Sequence, residues 1–340
     1  MTVTELVWNQ IKISEREVSL AKVLRCGQAF RWKNIDGIWS CALANRVVFL
    51  RQVPEGIFYS SLGGTEDSTL AFLEDYLQLS VSAKALYEQW SQVDAHFLKK
   101  QQDLQGIRIL RQDPWECLVS FICSSNNNVK RISQMCDNLC IHYGDYVASY
   151  NGTKYFTFPP PAKLVAPSIE AELRALGFGY RAKYIEKTAL LVHLSSTGVA
   201  DLHALRAADY DTARAALLQF TGVGPKVADC VALMALDKHG VVPVDTHVYQ
   251  IAKRDYKFKG KGETVTPQIN KAVGDFFRDL WGEYAGWAHS VLFTAELKDL
   301  GNGVNVKAGE AVKSTKVKKE ETFEALTATI RADTRLIAEC

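Results

Sequence analysis

The run from Leu217 to Tyr249, LLQFTGVGPKVADCVALMALDKHGVVPVDTHVY, constrains the fold more than any other part of the chain. It predicts helix, tight hairpin, helix, return loop and helix. Leu217, Leu218 and Phe220 close the first helix, and Gly222-Val223-Gly224 makes the hairpin. Both glycines are expected at φ > 0, where another backbone can come close. Pro225 suits the first helical position, since its missing N–H costs nothing there. Val227, Cys230, Val231, Met234 and Ala235 then form an apolar stripe at spacings of three and four. The unpaired N–H groups at this helix start, with the positive end of its dipole, make a phosphate-binding corner indifferent to base sequence. Gly222, Gly224 and Val227 are its candidate contacts.

Two residues of the run can do chemistry. Lys226 lies in the first turn, where the dipole disfavours an ammonium ion and so favours the free, nucleophilic amine. Asp245, in Pro243-Val244-Asp245-Thr246-His247, is placed to cap the next helix. Residues 226–237 as helix advance roughly 18 Å, and a return loop of about seven residues spans at most about 23 Å. That reach brings Asp245 back beside Lys226. The residue types alone fit a blander reading equally: a surface lysine near a hairpin and an ordinary aspartate N-cap.

With 340 residues the chain has room for two domains and a sizeable core. A net charge of +2 announces no nucleic-acid binder, so any basic footprint must be local. No segment reaches transmembrane length, and the first thirty residues carry no secretory pattern. The eight cysteines sit scattered in apolar segments, as free thiols in a reducing compartment do. Cys136 and Cys140 share a helix face, but no further cysteines continue a metal pattern.

The expected fold class is α+β, with a mixed domain over 1–104, an all-α region over 105–300 and a tail over 301–340. Strands are predicted at Phe30–Trp32, Ile38–Ala44 and Val47–Val53, with Asp36-Gly37 as a hairpin turn. Helices are predicted at Thr65–Leu79 and Val81–Phe97. Asp113-Pro114-Trp115-Glu116 reads as a capped helix start leading to the polar run Ser124–Asn128. Asn151-Gly152 suggests a second hairpin. Further helices are expected at about Ser168, Tyr180–Leu194, Ala200–Leu205, Tyr210–Phe220 and Tyr284–Leu297. In the tail, Lys313, Lys316, Lys318 and Lys319 cluster as a solvated run or a nuclear-import signal.

Six blocks in order, SFICSSNNN, LGFGYRAKY, GVGPKVADC, MALDK, VPVDTH and AGWA–VLF, resemble the eukaryotic 8-oxoguanine DNA glycosylase/lyase family of the helix-hairpin-helix DNA glycosylase superfamily. The resemblance runs from about residue 24 to residue 297. It implies a curved antiparallel sheet before the helical region, and it assigns Lys226 as nucleophile and Asp245 as its acidic partner. Lys226 would attack C1′ of the damaged nucleoside while Asp245 stabilises charge on the sugar. An imine and β-elimination would follow.

The same resemblance places the carbonyl of Gly27 against the N7 proton that 8-oxoguanine has and guanine lacks. Cys230 and Phe293 would sandwich the flipped purine, with Met234 also lining the pocket. Position 289 departs from the family pattern: a histidine stands where glutamine commonly meets the Watson–Crick edge. Neutral imidazole also offers one donor and one acceptor, with shorter reach, so preference among oxidised purines stays open. Asn126 would fill the gap left by the base, Arg131 and Arg181 would hold the widowed cytosine, and Tyr180 would wedge beside it. His247 would meet DNA phosphate. No cofactor is implied. The superfamily's four-cysteine iron–sulfur cluster is not expected, because only Cys340 follows Cys230. A structural monovalent or calcium ion could bind the carbonyls of Leu218, Phe220 and Val223. The implied partner is double-stranded DNA with oxidised guanine opposite cytosine, met by a monomer in the nucleus, with a mitochondrial pool as an addition. Two other readings fit the residues: a monofunctional glycosylase in which Asp245 orients water, and a non-catalytic lesion-binding protein.

Overall fold

The structure is a computed structural model and describes residues 5–63, 66–260 and 262–296. The expected tail, with its lysine cluster, lies outside the described residues. So does Leu297.

An antiparallel sheet forms first from β1 (Asn9–Ile11), β2 (Lys33–Ile35), β3 (Ile38–Leu43), β4 (Arg46–Val53) and β5 (Gly56–Leu62), ordered β1-β5-β4-β3-β2. Two-residue turns join β2 through β5: Ile35 pairs with Ile38, Leu43 with Arg46, and Val53 with Gly56. Asp36-Gly37 and Ala44-Asn45 hold both turn residues at positive φ, the geometry whose twist matches paired strands. The strand expected at Phe30–Trp32 begins instead at Lys33. Residues 30–32 are spent elsewhere. Phe30 joins the helical core and Trp32 the core under the sheet. Between them, buried Arg31 forks onto Glu116 (Nε–Oε1 2.7 Å) and donates to the Ala42 carbonyl (2.8 Å).

Both faces of the sheet are covered. Val48, Leu50, Ile57 and Tyr59 meet Leu73 and Tyr76 of the helix Glu66–Tyr76. Val47 and Phe49 meet Tyr155 of a second hairpin, β6 (Tyr146–Tyr150) and β7 (Thr153–Phe156), turned at Asn151-Gly152 as expected. That double covering explains why Val47-Val48-Phe49-Leu50 lacks strand alternation.

The rest is helical. The helix expected over 81–97 is two, Ala83–Val93 and Ala95–Lys100. Asp94 breaks it by adopting extended backbone and capping the second piece: its Oδ1 accepts the N–H groups of His96 and Phe97, and its Oδ2 accepts Tyr256 Oη (2.8 Å) and Trp281 Nε1 (2.9 Å). Both pieces, through Trp90 and Phe97, belong to the large helical core. The helix Pro114–Ser124 starts as its sequence predicts, with Asp113 accepting Glu116 N–H (2.8 Å). It packs on the helix Pro225–Ala235, and the two form the centre of that core. No helix among the described residues is long and apolar enough to cross a membrane.

Candidate active site

The hairpin forms where the sequence predicts it, with one correction. Gly222 has φ +83°, but Gly224 has φ −95° and an ordinary extended backbone. At Gly222 the glycine is needed twice over: an added Cβ would also lie 2.6 Å from Cγ of the Tyr184 ring. Gly224, an exposed residue, caps the hairpin helix Pro225–Ala235. Val227 is buried.

Lys226, Cys230 and Met234 follow at i, i+4 and i+8, one stripe of that helix. Lys226 and the Cys230 thiol share a hydrogen bond, and Nζ lies 5.6 Å from the centroid of the Phe121 ring. Asp245 caps the helix Thr246–Tyr256, with Oδ1 accepting both His247 N–H and Val248 N–H at 3.0 Å. Its other oxygen carries no hydrogen bond among the described residues, and the carboxylate acts electrostatically on Lys226, Cys230 and His289. The loop therefore does return Asp245 to Lys226. His247 is exposed just beyond.

The protonation of Lys226 differs from expectation. Its pKa is raised above the ordinary lysine value, first by the Cys230 sulfur and then by the Asp245 carboxylate, against burial that lowers it. Burial pushes the Cys230 thiol itself up to about 11, so near neutral pH that sulfur is protonated. With that sulfur neutral, the carboxylate is the raising influence that remains, opposed by burial. The helix dipole is a contribution of under about 1 kcal/mol, and the half-buried Asp245 carboxylate opposes it.

The helix Ala285–Glu296 forms the facing wall. Gly286 N–H donates to the His239 carbonyl of the return loop (2.9 Å), fixing where the helix begins. His289 and Phe293 are adjacent on it, with ring centroids 5.9 Å apart. His289 is 8% exposed, and neither ring nitrogen has a hydrogen-bond partner among the described residues. Desolvation lowers its pKa to about 4, so it is a neutral imidazole at physiological pH. Gly27 sits at φ +83° between Cys26 and Gln28, and the Cys26 thiol bonds to Thr294 on the same wall helix. Cys230 and His289 thus both feel Lys226 and Asp245, Phe293 lies beside His289, and Gly27 adjoins the thiol bonded to Thr294.

The expected wedge residues form a second cluster. Asn126 is exposed with φ +47°, directly after the helix Pro114–Ser124. Tyr180 Oη donates to the Ser125 carbonyl (3.1 Å), and the Arg181 guanidinium donates to the carbonyls of Ser125 and Asn126 (3.1 Å to the latter). Arg131 donates to the Gly177 carbonyl (3.2 Å). Arg181 is buried and stacked under Tyr180, whereas Arg131 and Tyr180 are exposed. Arg181 therefore holds the Asn126 turn in this structure. The sequence reading missed Phe121 below the lysine and the buried acid Asp229. Asp229 accepts Tyr210 Oη (2.8 Å) and Arg214 Nε (3.1 Å), and it also bonds to Asn270, whose Nδ2 donates to the Val244 carbonyl (3.3 Å). That bridge joins the helix of Lys226 to the residue before Asp245.

This geometry agrees with what the chain resembles. Residues 10–118 match the 8-oxoguanine DNA glycosylase N-terminal domain, and residues 119–274 match the HhH-GPD superfamily base excision DNA repair protein. A Saccharomyces cerevisiae N-glycosylase/DNA lyase is 39% identical over 331 residues, spanning 85% of this chain and 86% of that protein. The chain belongs to the 8-oxoguanine DNA glycosylase family. An Arabidopsis thaliana member, N-glycosylase/DNA lyase OGG1, is 40% identical over 85% of this chain and 80% of its own length. Among solved structures, the Clostridium acetobutylicum 8-oxoguanine glycosylase/lyase in complex with double-stranded DNA containing cytosine opposite 8-oxoguanine superposes with a TM-score of 0.73. It is 28% identical, covering 86% of this chain and 98% of that one. The α+β arrangement expected from sequence, sheet first and helix-hairpin-helix region after, is the family's.

Proposed function

We propose that this enzyme excises 8-oxoguanine paired with cytosine in duplex DNA and then cuts the strand at the vacated sugar. What supports this is Lys226, on the helix stripe of Cys230, within electrostatic reach of Asp245, with His289 in reach of the same pair and Phe293 beside it. Lys226 reacts as the free amine, its proton having passed to solvent. The amine then bonds to C1′ as the C1′–N9 bond breaks, and the purine leaves with the electron pair and takes a proton. Asp245 stabilises the positive sugar through its uncommitted oxygen. Ring opening gives an imine to Lys226, a proton leaves C2′, and the C3′–O bond breaks to release the phosphate.

The other named residues act around this step. Gly27 reads the N7 proton, Cys230 and Phe293 sandwich the base beside Met234, and neutral His289 meets the Watson–Crick edge. Asn126, Arg131, Tyr180 and Arg181 occupy the space around the orphaned cytosine. Gly222, Gly224, Val227 and His247 grip the backbone. An ion at the carbonyls of Leu218, Phe220 and Val223 would be held by backbone alone. The Phe220 carbonyl already accepts Val223 N–H (3.1 Å), which leaves it one lone pair for a cation. We assign the work to a monomer in the nucleus, with a mitochondrial pool.

The raised Lys226 pKa favours a second reading, in which Lys226 stays charged and Asp245 orients water instead. Borohydride trapping on a duplex carrying 8-oxoguanine opposite cytosine separates them. A covalent band lost in Lys226→Gln supports the imine, and free base without a band supports water. Tight binding without release overturns both in favour of a lesion-binding protein.

A further inference from the structure

Gly27 poses a mechanical problem. It has φ +83° and nothing within 4 Å of where a Cβ would stand, so no side-chain packing at this residue holds its peptide in place. A reader of one proton must be aimed, since a hydrogen bond weakens steeply as its angle closes. The aim has to come from the neighbours. Gln28 is 2% exposed, and its side chain is fully committed: Nε2 donates to the carbonyls of Val23 (3.1 Å) and Arg108 (2.8 Å), and Oε1 accepts Leu110 N–H (2.9 Å). Its own carbonyl, one peptide beyond that of Gly27, accepts Nε2 of buried Gln112 (2.9 Å). Gln112 N–H in turn donates to the Met234 carbonyl at the end of the hairpin helix (2.9 Å). Arg206 ties down the same end, donating to the carbonyls of Gln112 and Ala235 (both 2.9 Å).

We infer that Gln28 and Gln112 are positioning residues for lesion discrimination. They form a buried amide interlock that fixes the Gly27 carbonyl relative to the helix carrying Cys230 and Lys226. Both side chains are spent on backbone groups of the protein itself. They keep the reader in register with the nucleophile through a bond between residues 84 apart in sequence. This rests on Gly27 reading the base, as proposed above.

The interlock serves base reading alone, so it should matter when a base is present and not when the sugar is already bare. Gln112→Met keeps side-chain length and the backbone bond to Met234 but removes the donor to Gln28. The measurement is single-turnover excision of 8-oxoguanine opposite cytosine beside strand cleavage at a preformed abasic site, with guanine excision as reference. Excision of 8-oxoguanine should fall about tenfold, the effect of leaving one buried acceptor unpaired. Its preference over guanine should narrow, and abasic-site cleavage should stay within about twofold of wild type. Gln28→Met, which removes the side-chain bonds to Val23, Cys26, Arg108 and Leu110 from the other side, should act in the same direction and more strongly. If it does not fold, Gln112→Met decides alone. Parallel loss of both activities, or loss of neither, overturns the inference. A wild-type enzyme that excises guanine and 8-oxoguanine alike would instead overturn the underlying reading of Gly27.

Discussion

Asp245 has two jobs that one substitution can separate. Its Oδ1 accepts two backbone N–H groups at 3.0 Å and starts the helix Thr246–Tyr256, while its charge acts on Lys226. Asparagine caps a helix about as well as aspartate, so Asp245→Asn should leave unfolding within about 0.5 kcal/mol of wild type, whereas Asp245→Ala should lose about 1 kcal/mol. The charge is a different matter. Removing a group that meets developing charge in an enclosed site costs about a hundredfold to a thousandfold in rate, roughly 3–4 kcal/mol. Asp245→Asn should therefore be nearly as stable as wild type and far slower in excision. The carboxylate also raises the Lys226 pKa. Without it that pKa falls, more amine is present at any given pH, and the acid limb of imine formation on a preformed abasic site moves to lower pH. Urea unfolding, single-turnover excision and trapping across pH supply the three readouts. An asparagine variant with wild-type excision would refute the electrostatic role. If activity instead tracked stability through both variants, Asp245 would be a helix cap and nothing more.

Three further outcomes follow from particular contacts. His289 is neutral and buried, with its pKa lowered from 6.5 to about 4. The unfolded chain therefore takes up its proton first as pH drops, and stability present above pH 6.5 is lost toward pH 4, by up to about 3 kcal/mol. His289→Gln should flatten the acid side of a melting-temperature profile; an unchanged profile would place the imidazole in water. Gly222→Ala should cost about 1–3 kcal/mol in urea unfolding from positive φ alone. Its Cβ would also displace Tyr184, weakening binding to undamaged duplex; wild-type affinity would mean the hairpin does not carry the phosphate. Arg181→Met should lower stability by about 2 kcal/mol through the lost bonds to the Ser125 and Asn126 carbonyls. The same change should loosen selection of cytosine as the opposite base, read by comparing excision opposite cytosine and adenine. Intact selectivity would reduce Arg181 to a strut.

What the sequence disclosed divides along physical range. Asp113 and Asp245 as caps, Asp36-Gly37 and Asn151-Gly152 as turns, and Pro225 as a helix start are decided within three or four residues, and each stands where its neighbours put it. The base-pocket set came from a resemblance, because no local rule connects Gly27 to Phe293. Failures occurred where a distant partner overrode local preference. Nothing around Asp94 says that Tyr256 and Trp281 will take its second oxygen and break a helix there. No local pattern marks Gln28 and Gln112, yet both are buried because their side chains satisfy backbone groups far along the chain: Gln112 the Gln28 carbonyl, and Gln28 the Arg108 carbonyl and the Leu110 N–H. Lys226 shows the same conflict within the chemistry. Its place at a helix start argues for a free amine, and the neighbours that only folding supplies argue for an ammonium ion. An enzyme built this way stores its nucleophile in protonated form beside the group that will stabilise the sugar cation. The same carboxylate that slows deprotonation then lowers the barrier to losing the base. Asp245 can serve both ends only if the lysine proton leaves before the glycosidic bond has broken, so the pH dependence of trapping, more than its yield, is where the two halves of the mechanism meet.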